Sequence, residues 1–122
     1  PVDPKLGYQP KATYFVERSM ESWATFVSTL MAVREGDGTL LDNCLVFGHS
    51  DTEYARVHSI SGIPVMMAGK AGGRMKTGIH VRAIGEPITR LGFTAMQVMG
   101  VPLDKWGAGS MQTSKPVSEV VV

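Results

Sequence analysis

Two apolar runs, each closed by glycine, set the tightest limit on what this chain can fold into. The first holds Leu40, Leu41, Cys44, Leu45, Val46 and Phe47, is interrupted only by Asp42 and Asn43, and ends in Gly48-His49-Ser50-Asp51. The second, Ile63-Pro64-Val65-Met66-Met67-Ala68, runs into Gly69-Lys70-Ala71-Gly72-Gly73. Neither alternates apolar with polar residues as a strand with one wet face would. Both therefore predict strands covered on two faces, over 40–48 and 63–68, as in a parallel sheet. Ile79-His80-Val81 is a third, shorter candidate.

Helical periodicity flanks these runs. Val16, Met20, Trp23, Val27 and Leu30 recur at spacings of four and three, joined by Phe26 and Met31, with Thr13 as a candidate N-cap. The pattern predicts an amphipathic helix over 13–34, stopped by Glu35-Gly36-Asp37-Gly38. Glu86-Pro87-Ile88 opens a second helix over 87–99, with proline at its first position and Gly100 past its end. Ile88, Leu91, Ala95 and Val98 form its apolar stripe. Residues 1–12, with prolines at Pro1, Pro4 and Pro10, predict an extended arm, and 104–122 a coil tail anchored by Trp106. Helix, strand, strand, helix across 13–103 predicts the α/β class: a partial three-layer α/β/α arrangement with a mostly parallel sheet.

Composition removes several classes of function. At 122 residues the chain is one domain's worth, and its formal net charge of +1 gives no field to draw nucleic acid. Lys70, Arg74, Lys76 and Arg82 lie among glycines without interleaved aromatics, unlike a base-stacking platform, so no nucleic acid partner is expected. The single cysteine, Cys44, excludes an internal disulfide and a multi-cysteine zinc ribbon, and its place in an apolar run is that of a small buried hydrophobe. No segment is apolar for long enough to span a membrane, and no charged-then-apolar leader opens the chain. A start at Pro1 fits a processed product or part of a longer protein.

Ligands bind beyond the carboxyl ends of parallel strands, so the loops after Phe47 and after Ala68 are expected to border one crevice. Asp51 and His58 in that region suit a borderline divalent metal such as zinc, which takes imidazole nitrogen and carboxylate oxygen. His49, beside the strand end, and His80, flanked by Ile79 and Val81, are secondary metal candidates. The ordinary roles of such residues are a turn cap for Asp51, over Thr52 and Glu53, and a surface or hydrogen-bonded position for the histidine. Lys70 and Arg74 are candidates to meet a phosphate or sulfate. Met75 rather than glycine precedes Lys76-Thr77, which excludes a P-loop, and neither Ser50 nor Ser59 lies in a Gly-x-Ser-x-Gly elbow. A catalytic zinc takes three protein ligands, so Asp51 with His58 is half a site.

The stretch from Glu35-Gly36-Asp37-Gly38-Thr39-Leu40-Leu41-Asp42-Asn43 through Ser50-Asp51, Ile63-Pro64-Val65, Ala68-Gly69-Lys70-Ala71-Gly72-Gly73 and Lys76-Thr77-Gly78-Ile79-His80-Val81-Arg82 to Met99-Gly100-Val101-Pro102-Leu103-Asp104-Lys105-Trp106-Gly107 resembles the C-terminal part of the uncharacterised family known as domain of unknown function 1552. Trp106 stands where that family has phenylalanine. The family is similar in plan to the alkaline phosphatase and sulfatase superfamily, metal-dependent hydrolases of phosphate and sulfate esters. The resemblance places Asp51 on that superfamily's Ser-Asp-His carboxylate, and His58 on the histidine of its His-Thr-x-x-x-Val-Pro segment. Thr52 departs from the pattern, standing where a second ligand histidine belongs, and the nucleophile and first metal carboxylate have no counterpart here. What the resemblance implies is a periplasmic or secreted segment of a metal-dependent hydrolase-like protein acting on a small anionic ester. The segment would be inactive until a missing N-terminal half or a partner subunit completes it. The competing expectation is a non-catalytic binding or assembly module that keeps the fold.

Overall fold

The computed structural model describes the whole chain, Pro1–Val122. Helix α1 spans Pro10–Ala32 and starts three residues before Thr13, because proline at the first helical position forfeits no hydrogen bond. Its C-terminal half docks on the body: Trp23 lies so close over Gly48 that a Cβ there would sit 3.0 Å from the indole ring, tighter than ordinary contact. Its N-terminal half stands clear, with Phe15 and Val16 exposed. No helix is long and apolar enough to cross a membrane.

The glycines after α1 build a hairpin. Strand β1 (Arg34–Glu35) pairs antiparallel with β2 (Gly38–Thr39). Gly36 takes φ +58°, which a tight hairpin turn demands of its first central residue. Helix α2 (Leu40–Asn43) follows at once. Strand β3 (Val46–His49) and strand β4 (Val65–Ala68) pair antiparallel, with Val46 opposite Ala68 and His49 opposite Val65. Helix α3 (Thr89–Val98) comes last, before two single 3-10 turns at Gly109–Met111 and Ser118–Val120.

This architecture overturns the expectation of a three-layer α/β/α arrangement with a mostly parallel sheet. The chain has three α-helices and two separate two-stranded sheets, both antiparallel. Two local causes account for it. Asp42 Oδ2 accepts hydrogen bonds from the Thr39 backbone N–H and the Thr39 hydroxyl, each at 2.8 Å, so the capping residues wind Leu40–Asn43 into a helical turn instead of the first half of a strand. A parallel pair also needs a crossover, usually helical. Residues 50–64 instead fold back through tight turns, with Glu53 N–H donating to the Ser59 carbonyl at 2.8 Å and Ser50 N–H to that of Pro64 at 3.3 Å. Covering on two faces fails as well, since β3 alternates half-buried and exposed positions.

The core is small and sits at the C-terminal side. Ala71, Met75, Val98, Val117 and Val120 form one buried cluster, against which Leu45, Met67 and Leu91 pack. Phe93 and Thr94 of α3 are fully buried, and the Thr94 hydroxyl accepts the Val117 N–H at 2.8 Å. The segment 104–122 is pinned along its length. Trp106 and Thr113 exchange backbone hydrogen bonds at 2.8 Å, Lys76 N–H donates to the Val120 carbonyl at 2.8 Å, and the Arg90 guanidinium donates to the Pro116 carbonyl at 2.7 Å.

The turn after β4 locks these parts together. Lys70, Ala71 and Gly72 donate backbone N–H groups to the carbonyls of Leu41 (3.3 Å), Cys44 (3.1 Å) and Asp42 (2.9 Å). Gly69 makes the approach with φ +103°, and a Cβ there would lie 2.2 Å from the Cys44 carbonyl oxygen. Gly69→Ala is therefore expected to cost roughly 2–4 kcal/mol, as strain plus lost docking. Urea unfolding monitored by tryptophan fluorescence reads the change; a cost within about 0.5 kcal/mol, as at an unconstrained surface site, would refute the docking account.

Candidate functional site

Antiparallel pairing decides which candidate residues can meet. Residues 50–64 join the far end of β3 to the near end of β4, so Asp51 and His58 share one loop. The turn carrying Lys70 and Arg74 leaves β4 at the opposite end, beside Val46. The length of β3 separates the two ends by about 10 Å at the strand rise. The expected single crevice, with metal and anion contacts together, does not form within this chain. That expectation assumed parallel strands, whose carboxyl ends point the same way.

Within the 50–64 loop, Asp51 and His58 are both exposed. His58 has φ +51°, the left-handed region, in a turn where Ser59 N–H reaches back to the Tyr54 carbonyl at 3.4 Å. The carboxylate that shapes the loop is Glu53, which accepts the Ser59 hydroxyl at 3.1 Å. The turn cap assigned to Asp51 belongs to Ser50, whose hydroxyl donates to the Thr52 carbonyl at 2.6 Å. Sequence reading passed over both Glu53 and Ser50. Nothing in their spacing announces the roles, which depend on where the loop returns.

Three or more metal-ligating side chains do not gather anywhere on the chain. Asp51 and His58 together offer one carboxylate and one imidazole, and Thr52 beside them has only a hydroxyl. A zinc ion held by protein takes three or four ligands, so the donor set of this chain does not by itself fit a resident zinc. His49 is drawn elsewhere. Its Nδ1 lies 3.2 Å from the Ser50 carbonyl, and its ring lines a cleft of about 260 Å³ with Phe47, Val65, Leu91 and Trp106. His80 sits on the exposed irregular segment before α3.

The two proposed anion contacts already have partners. Lys70 Nζ lies 2.8 Å from Asp42 Oδ1, at the edge of a cleft of about 280 Å³ lined also by Leu41, Met67, Gly69 and Thr77. Arg74 Nε donates to the Ala71 carbonyl at 2.9 Å, bracing its own turn. The Lys70 ammonium, followed by the Thr39 hydroxyl and backbone N–H, lowers the Asp42 carboxyl from 3.8 to about 2. The pair is the strongest electrostatic feature of the turn. Thr39-Leu40-Leu41-Asp42 carries the spacing of a capping box, the one signal from which sequence could have found it.

No family model, no curated protein and no solved structure matches the chain.

The depressed Asp42 pKa sets a pH dependence. Its folded value lies below the unfolded one, so the stability it contributes is complete above about pH 4 and is lost as pH falls from about 4 to about 2. Lys70→Met removes the main cause. The variant is expected to be less stable than the parent at pH 7, with the difference closing by about pH 2. Urea midpoints of both proteins across that range read it, and a gap constant with pH would rule the pair out as its source.

Proposed function

We propose that this chain is an assembly segment that works only with further polypeptide, and that it supplies Asp51 and His58 to a metal centre of a phosphate or sulfate ester hydrolase. The observation that carries the assembly half is its surface. The folded chain exposes 8756 Å² and buries only nine of its 122 residues. A compact monomer of 13.1 kDa exposes roughly 6,400 Å². The excess is of the size that a permanent interface covers, and much of it is apolar: Phe15, Val57, Ile60 and Ile84 are each at least 64% exposed.

The hydrolase half rests on the resemblance of Ser50-Asp51 and His58 to superfamily metal ligands. Their place on one loop is compatible with shared ligation once outside ligands join them. A nucleophile and the remaining ligands come from the N-terminal half or the partner subunit. A purely structural segment with no metal role is the second reading, and the threonine at Thr52 favours it.

Isolated chain given zinc is expected to show no turnover of 4-nitrophenyl phosphate or sulfate. Calorimetric titration should find weak zinc binding that Asp51→Ala and His58→Ala each weaken by at least about tenfold. Turnover by the chain alone would overturn the segment reading. Equal zinc binding in both variants would leave only the structural one.

A further inference from the structure

We draw no further inference here: the strongest candidate, the exposed apolar face of α1 around Phe15 and Phe26, is an unpartnered helix face, and nothing in the structure shows what covers it.

Discussion

Three backbone N–H groups, those of Lys70, Ala71 and Gly72, meet the carbonyls of Leu41, Cys44 and Asp42, and most of the ordered structure follows from that contact. Helix α2 is only four residues long, too short to stand alone, and its last carbonyls have no partner within the helix. The turn after β4 supplies those partners, and the Lys70–Asp42 ion pair closes the contact from outside. Docking draws Ala71 into the interior, where it is fully buried despite φ +48°, a conformation costly for any residue with a Cβ. Met75 then follows into the core, and the backbone of residues 74–76 meets that of residues 120–122. The C-terminal segment therefore depends on a contact made some fifty residues earlier in the sequence.

The same contact explains why the chain is lopsided. Every member of the buried cluster lies at or beyond residue 71. Helix α1 buries no residue fully, although it is the longest element and has a full apolar stripe. Only Trp23, Val27 and Leu30 along that stripe find half-cover. The apolar surface of α1 exceeds what a two-stranded sheet and a one-turn helix can cover. A single pair of strands is marginal by itself, and β3–β4 persists here because Trp23 lies against Gly48 and α3 packs beyond it.

How much of this was legible in the sequence differs between elements for physical reasons. Both long helices were, because a period of 3.6 over ten or more residues has few competing explanations; their ends moved by up to three residues where proline started α1 earlier than the threonine cap. The stretch 40–48 was not. Its composition is apolar enough for a strand, but Thr39 and Asp42 satisfy each other at close range, and that local bond turns the first four residues into a helix. Strand direction was illegible for a different reason. An unbroken apolar run reports cover on both faces in a large sheet, whereas here apolarity outruns burial and β3 keeps one face open. The candidate site inherited the error. Asp51 and His58, expected on adjacent loops, fall on a single one, since sequence proximity alone brings them together, and Lys70 and Arg74 were placed with them only through the assumed direction of β4.

That geometry constrains chemistry. Stabilising charge on a phosphoryl or sulfuryl group requires metal and cationic side chains to converge within hydrogen-bonding reach of the same few oxygens. Here the carboxylate and imidazole lie at one end of a strand pair, and the lysine and arginine at the other, the lysine paired with Asp42 of α2 and the arginine bonded within its own turn. Bringing Lys70 to the Asp51 end would break the Lys70–Asp42 pair and loosen the turn that holds Ala71 in the core, so the fold resists the rearrangement that catalysis would ask of it. Neither Lys70 nor Arg74 can therefore face an ester beside Asp51 and His58 in this fold; the cationic side chain already on their loop is Arg56.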